Sequence, residues 1–310
     1  MRALLVVNHK ATTTSSRVRD VLVHALRSEV DLQIAHTRRR GHAATLAREA
    51  RADGVDAVVV LGGDGTVNEA VNGLLADGTG PDVPAFAVVP GGSTNVFARA
   101  LGLPKDWVEA TGVLLEALRL GRYRTIGLGR ADERYFTFCA GLGMDADVVR
   151  RVERARLRGQ TSTPLLYMRA AVTQYLTGTR HREAPITLEQ YGAQPEAGLA
   201  NAIIQNTSPW TYLGDRPVDA CPGASFDLGL DLMALRELRL TSTSRTAMQL
   251  LLGGGKDEGP HGKRVFRLHD VDAFTLRCSE PLSFQLDGDF LGQRDKIRFT
   301  SAPAALRVIC

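Results

Sequence analysis

Lysine is scarce in this chain. Of its 38 basic residues only five are lysine (Lys10, Lys105, Lys256, Lys263 and Lys296), and the rest are arginine. The formal net charge is only +4, which does not imply a strong nucleic-acid binder. The arginine bias reads as genomic composition, not as an adaptation to phosphate. Cysteine is sparse too: Cys139, Cys221, Cys278 and Cys310 form no CxxC pair, and no histidine lies at metal-ligand spacing from them. That pattern argues against a zinc site and fits reduced thiols in a cytosolic protein. Long apolar runs are missing. No stretch approaches the roughly 20 residues that a membrane span needs, and the apolar part of MRALLVVNHK is too short for a signal peptide. The expected location is cytoplasmic, and any meeting with a membrane is peripheral, at its inner surface. There is no internal repeat, and the seven histidines form no constellation.

What is present is an ordinary globular composition, 44% hydrophobic and 23% charged. At 310 residues the chain is long for one core, so about two domains are expected. Over residues 1–122 short apolar runs alternate with helical patterns. Ala3–Val7, Leu32–Ala35, Ala57–Leu61 and Phe86–Val89 read as strands. Ser15–Leu26, Ala43–Ala50, Val67–Leu75, Asn95–Leu101 and Trp107–Leu118 read as helices. Continuous Val/Leu/Ala strands between helices indicate an α/β domain with a mostly parallel sheet covered on both faces.

Residues 123–310 read differently. Short strand-like runs dominate: Tyr135–Ala140, Ile186–Gln190, Asn201–Gln205, Leu230–Leu235, Val265–Leu268, Ala273–Cys278, Leu282–Leu286 and Lys296–Thr300. Helical stretches at Asp145–Arg156, Leu165–Leu176 and Ser244–Leu252 interrupt them. A β-rich, sandwich-like or partly barrel-like second domain follows, its last residues free to pack back on the first. Gly192–Gly198 and Gly253–Gly259 are the candidate flexible segments.

The sharpest chemical feature is the run Val58–Leu61 followed by GGDGTVNEAVNGLL. A buried strand meets Gly62, Gly63, Asp64, Gly65 and Thr66, and a helix follows. Glycines let a backbone approach phosphate oxygens, and a helix N-terminus presents N–H groups to an anion. Thr66 can cap that helix or donate its hydroxyl to a phosphate. Asp64 beside a phosphate makes sense if Mg²⁺ lies between them or if the acid accepts a proton. The bland alternative is a glycine-rich turn that merely closes an αβ unit. The run is neither GxxxxGK[ST], since no lysine follows, nor GxGxxG.

GGDGT with the following Asn68-Glu69 resembles the signature shared by diacylglycerol kinases, sphingosine kinases, NAD kinases and phosphofructokinases. Further blocks resemble the lipid-kinase branch: Asn8 after the first strand, Thr37 with Gly41-His42-Ala43, and Pro90 to Arg99 with Leu101-Gly102-Leu103-Pro104. Ala140 to Ala146 and Leu286-Asp287-Gly288-Asp289 complete the order. The resemblance, to the bacterial diacylglycerol kinase family, covers nearly the whole chain. It implies an ATP- and Mg²⁺-dependent kinase acting on a lipid hydroxyl at a membrane surface, most simply diacylglycerol. It places nucleotide contacts at Asn8, Thr37, Gly62, Gly63, Asp64, Gly65, Thr66, Val67, Asn68 and Ser93. Asp289 becomes the general base and Asp64 a catalytic residue and organiser of the Mg²⁺ that accompanies the nucleotide. The chemistry agrees, since phosphoryl transfer needs positioned donors, Mg²⁺ and a carboxylate for the hydroxyl proton. A plain β-hairpin turn is the alternative for Asp289.

Departures from the family pattern accompany the match. The first turn reads Asn8-His9-Lys10-Ala11-Thr12, without the family's Pro and Gly. Ser93 stands for Thr, Val96 for Asp, Leu228 for an acid after Asp227, and Asp289 for Glu. The changes at Val96 and Leu228 argue against a second, structural Mg²⁺. Arg150, Arg151, Arg154, Arg156 and Arg158 could meet anionic headgroups or form a solvated helix face. Arg38, Arg39 and Arg40 could reach a triphosphate or lie in an exposed loop. Trp210 to Gly214 lines a cleft or the core. Alternatives kept open are a sphingosine- or ceramide-type kinase, an NAD-kinase-like enzyme, and a catalytically weak nucleotide- or lipid-binding homologue. No nucleic-acid partner is expected, and a homodimer is one assembly left open.

Overall fold

The computed structural model describes residues 1–8, 16–160, 163–178, 184–252 and 259–310. His9 to Thr12 of the first turn and the glycine-rich 253–258 lie outside the described residues. The chain divides into two compact units, Met1–Gly127 with Ala304–Cys310, and Leu128–Pro303.

The first unit runs β1 (Arg2–Val7), α1 (Ser16–Arg27), β2 (Asp31–His36), α2 (His42–Ala52), β3 (Ala57–Gly62), α3 (Asp64–Leu74), β4 (Ala85–Pro90), α4 (Val96–Ala100) and α5 (Trp107–Leu120). β5 (Tyr123–Ala131) follows and passes into the second unit at Leu128. The strands pair in parallel in the order β4-β3-β1-β2, and Val308 adds a parallel pairing to Phe86 at the β4 edge. β3 and β4 are buried at every residue. Both faces of the sheet are therefore covered, which is why these strands are unbroken apolar runs instead of alternating ones. One face carries Leu5, Val7, Val59, Leu61, Ala87 and Val89 in a core with Leu22, Leu26 and Leu114. Their neighbours Leu4, Val6, Val58, Val60, Phe86 and Val88 are buried on the other face. α5 shows how its ends are set: the Asp106 side chain accepts from Val108 N and Glu109 N, and Gly121 closes it at φ 62°.

The second unit is antiparallel. It contains β6 (Arg134–Phe136), β7 (Cys139–Leu142), α6 (Met144–Leu157), α7 (Pro164–Thr177), β8 (Ile186–Glu189), β9 (Glu196–Leu199) and β10 (Asn201–Gln205). Then come β11 (Thr211–Leu213), β12 (Arg216–Val218), β13 (Leu230–Leu235), α8 (Leu240–Leu252), β14 (Val265–Val271), β15 (Ala273–Leu286) and β16 (Asp289–Ile309), whose residues from Ala304 onward belong to the first unit. The pairing order is β14-β13-β10-β7-β15-β16. β15 changes partner along its length. Thr275–Cys278 pair with β8 and Phe284–Leu286 with β7, with a register shift between Arg277 and Leu282. Its core stacks Phe274 on Phe299 at 5.2 Å, with Phe136 and Phe284 edge-on to Phe299.

Several expectations shift here. The runs Ala273–Cys278 and Leu282–Leu286 are one strand, and Tyr135–Ala140 is split between β6 and β7. The last three residues of the Gly192–Gly198 segment, expected to be flexible, enter β9. Trp210 packs against the core of Ile203, Met233 and Leu235.

Candidate functional site

The first unit's strand order places a crossover reversal at β1 and β3: the chain steps from β1 to β2 on one side, then to β3 on the other. In open parallel sheets the crevice outside the carboxyl ends of two such strands is where ligands bind. Asn8 leaves β1 there and Gly62-Gly63 leave β3. The two exits are tied together, because Asn8 N donates to Leu61 O at 3.1 Å and Asn8 Nδ2 donates to Thr66 Oγ1 at 2.8 Å. Thr37 leaves β2 beside them, its N–H bonded to Val7 O at 2.9 Å.

The GGDGT run opens α3, but earlier than the sequence suggests. Gly63 is the N-cap and Asp64 the first helical residue, so Thr66 lies within the first turn and does not cap it. An acid at the first position suits the helix dipole. The Asp64 side chain also reaches across, its Oδ1 accepting from Phe97 N at 3.1 Å. The turn after β4 closes on the same place. Gly91 N donates to Gly62 O at 2.9 Å. A Cβ on Gly92 would sit 2.7 Å from Gly63 Cα, and one on Gly63 would sit 3.1 Å from Gly92 Cα. The glycines of the two turns are thus required by backbone packed on backbone. Asn95, left-handed at φ 51°, clamps this second turn by accepting from Gly92 N and donating to Gly92 O. Ser93 is exposed on it.

Not every expected contact residue presents its side chain. Val67 and Asn68 are buried under the turn. Val96 is buried as well, an apolar core residue where the family pattern has an acid. Arg38, Arg39 and Arg40 are exposed. Glu69 has no role that the sequence reveals. Its carboxylate accepts from Gly41 N at 2.8 Å and from Ala43 N at 3.3 Å. Gly41, at φ 81°, has no side chain with which to cap α2, so a carboxylate from α3 does it instead. Thr37 to Ala43 is thereby held to the helix that starts at Asp64.

The other expected catalytic residue, Asp289, belongs to the second unit. Leu286 pairs with Asp289, leaving the two-residue loop Asp287-Gly288 with φ 47° and 80°, the left-handed pair that a tight hairpin uses. Asp287 is buried and does structural duty. Its carboxylate accepts from Thr137 N, Thr137 Oγ1, Phe138 N and Cys139 N at 2.7, 2.9, 3.0 and 3.1 Å. Asp289 begins the outgoing strand, half-buried, and the next residue, Phe290, donates its N–H to Glu153 Oε1 at 3.1 Å. Gln285 links this turn to α6, accepting from Gly288 N at 2.9 Å and donating to Asp145 Oδ2 at 2.8 Å. Burial pushes the Asp145 carboxyl up to about 6, against the lowering effect of the Gln285 bond. A Cβ on Gly141 would fall 1.8 Å from Asp145 Oδ2, which gives the glycine of that block its reason. Leu228 is exposed, and the backbone beside it is held by Asp270, whose Oδ1 accepts from Gly229 N at 2.7 Å. Among the described residues no group of three or more His, Cys, Asp or Glu side chains could hold a metal by itself.

Residues 2–131 match the family model of the diacylglycerol kinase catalytic domain. The matched stretch contains every nucleotide-contact residue expected from the sequence. The chain is also similar to a diacylglycerol kinase of Bacillus subtilis (strain 168), 29% identical over 81% of this chain and 77% of that one. A probable lipid kinase YegS-like of Pseudomonas aeruginosa (PAO1) is 28% identical over 98% of this chain and 93% of its own. A solved diacylglycerol kinase from Bacillus anthracis shares the fold, with a TM-score of 0.72 at 22% identity over 99% of this chain and 96% of that one.

Proposed function

We propose that the chain is an ATP- and Mg²⁺-dependent lipid kinase that transfers the γ-phosphoryl group to the hydroxyl of diacylglycerol, giving phosphatidic acid. The observation that carries the reading is the crevice at the carboxyl ends of β1 and β3, where Asn8, Gly62-Gly63 and Thr66 meet inside a diacylglycerol kinase catalytic domain. The names of the relatives support a lipid acceptor.

In this mechanism the N-terminus of α3 receives the nucleotide phosphates, with backbone N–H groups and the Thr66 hydroxyl as donors. Asn8 orients Thr66, and Glu69 fixes the Thr37 segment beside it. Thr37 and Ser93 supply further hydroxyls from the neighbouring exits. Asp64 is the carboxylate at the turn that would hold the Mg²⁺ accompanying the nucleotide, an ion that would supply positive charge to the phosphates. Asp289 accepts the proton of the lipid hydroxyl, and Asp287 holds the turn that presents it.

The test is incubation of the folded protein with γ-labelled ATP, Mg²⁺ and mixed micelles of diacylglycerol, with sphingosine, ceramide and NAD as parallel acceptors. Labelled phosphatidic acid is expected. Label confined to a long-chain base or to NAD reassigns the acceptor. No phosphorylation across the panel removes the reading.

A further inference from the structure

Asp289 sits between two residues whose N–H groups are held from the same helix. Gly288 N donates to Gln285 Oε1 at 2.9 Å, and Phe290 N donates to Glu153 Oε1 at 3.1 Å. Glu153 is on α6. Gln285 is oriented from α6, its Nε2 donating to Asp145 Oδ2 at 2.8 Å. Arg150 adds another contact from that helix, its guanidinium 5.6 Å from the centroid of the Phe290 ring.

Gln285 is 1% exposed and stands in β15 between Gly141 of β7 and Phe290 of β16. Its neighbours Phe284 and Leu286 belong to the apolar core, so strand alternation turns Gln285 the other way, toward α6. A buried amide is costly unless its groups are bonded, and an apolar residue would fill the place without that demand. The fold makes room for the amide instead. A Cβ on Gly141 would fall 1.8 Å from Asp145 Oδ2 and 2.8 Å from Gln285 Nε2. The amide is also fixed one way round. Asp145 titrates at about 6, so at neutral pH its carboxylate only accepts, while Gly288 N only donates. The hairpin does not need these ties in order to form. Its ladder pairs Gln285 with Phe290 and Leu286 with Asp289, and Asp287 anchors the loop through its own bonds. What the ties add is the direction in which residue 289 leaves the turn.

We infer that Gln285 and Glu153 are positioning residues for the proposed reaction: they fix the peptide groups on either side of Asp289 and so aim its carboxylate at the acceptor hydroxyl. The inference rests on the reading of Asp289 as the base. A carboxylate that takes a proton must lie within hydrogen-bond reach of it, and a misplacement of about 1 Å costs about a hundredfold in rate. Aspartate is one methylene shorter than glutamate, so its carboxylate goes where the backbone points it. Holding the backbone on both sides of the residue is the way to control that aim. Asp145 acts one step further back, by keeping the Gln285 amide in its orientation.

The experiment measures kcat and the KM for ATP of the full chain, with whichever of diacylglycerol, sphingosine, ceramide and NAD the wild type phosphorylates. Gln285→Met keeps the length and removes the polar groups. It should lower kcat about tenfold or more and leave the KM for ATP within about twofold. Glu153→Met should do the same, and it carries the test if Gln285→Met does not fold. Asp145→Asn and Glu153→Gln keep an acceptor, so each should lose less than Asp145→Leu and Glu153→Met. The decisive measurement is made in the Asp289→Asn background. There Gln285→Met and Glu153→Met should cost about twofold or less, because their effect passes through the missing carboxylate. A merely structural role would lower the urea midpoint without this non-additivity. The inference is overturned if the wild type is active and the folded variants keep its kcat, or if their losses multiply with that of Asp289→Asn. A wild-type chain that phosphorylates no acceptor removes the kinase reading and this inference together, so the wild-type rate tells the two failures apart.

Discussion

Asn8 Nδ2 donates to Thr66 Oγ1 at 2.8 Å across 58 positions of sequence. The hydroxyl of Thr66 is an acceptor in that bond, so its own proton is directed elsewhere. In the proposed mechanism it goes to a phosphate oxygen. Thr66→Val keeps the volume and removes the donor. It should raise the KM for ATP by about tenfold, the size of one hydrogen bond to a charged group, with the fold unchanged by circular dichroism. Asn8→Ala should have a smaller effect, and the two should be non-additive in a double-mutant cycle. Additive effects would mean that Asn8 does not act through Thr66.

Two glycines in helices of the first unit should respond to alanine with opposite signs. A Cβ on Gly73 in α3 would lie 2.1 Å from Ala44 O of α2, whereas one on Gly112 in α5 meets nothing within 4 Å. Gly73→Ala should destabilise by about 3 kcal/mol, at the upper end for overpacking. Gly112→Ala should be stabilising by roughly 0.5–1 kcal/mol, the helix-propensity difference. Urea unfolding of both variants measures the contrast.

The two acids of the Asp-Gly-Asp turn should separate into structure and chemistry. Asp287→Ala leaves three backbone N–H groups and a hydroxyl buried without their acceptor. It should cost about 3 kcal/mol or more of stability. Asp289→Asn should leave the unfolding free energy within about 0.5 kcal/mol of wild type while lowering kcat by about a hundredfold or more, with ATP binding intact. Full turnover by the Asp289→Asn variant would remove Asp289 as the base.

Asp145 gives a pH signature. Its folded-state carboxyl sits at about 6, above its ordinary value of 3.8. Between those values the folded state binds more protons than the unfolded one, so this group's contribution falls as pH rises from about 4 to about 6. Above about pH 6 it is a fixed penalty of about 3 kcal/mol. Asp145→Asn should remove that slope and be more stable than wild type at pH 7, as read from urea midpoints at pH 4.5, 6 and 7.5. A variant less stable at pH 7 would mean that the ionised carboxylate has a partner it needs.

The first unit is legible in the sequence because its strands are buried on both faces, so Val58–Leu61 and Phe86–Val89 stand out without any pairing information. The start of α3 is less so. Three glycines in five positions suggest a turn, yet Gly63 caps the helix and Gly65 is already inside it, with Asp64 favoured at the N-terminal end. β15 is hidden because Glu280-Pro281 resembles a break. The strand survives there by shifting register as it changes partner from β8 to β7, a tertiary event with no local signal. The phosphate-turn residues are visible through their pattern. The roles of Glu69, Gln285 and Asp145 are not, since each acts on backbone or side chains far away in the chain.

Ile309 is buried in the core of the first unit, and Val308 pairs with Phe86. The unit that binds nucleotide in the proposed mechanism is therefore not a continuous stretch of polypeptide. On the ribosome, residues 1–127 emerge long before the segment that covers the β4 edge, and the whole second unit must be translated in between. A nascent chain stopped at residue 127 would hold the phosphate turns with one edge of their sheet open. This unit is started before the second and cannot be finished until translation has passed residue 303.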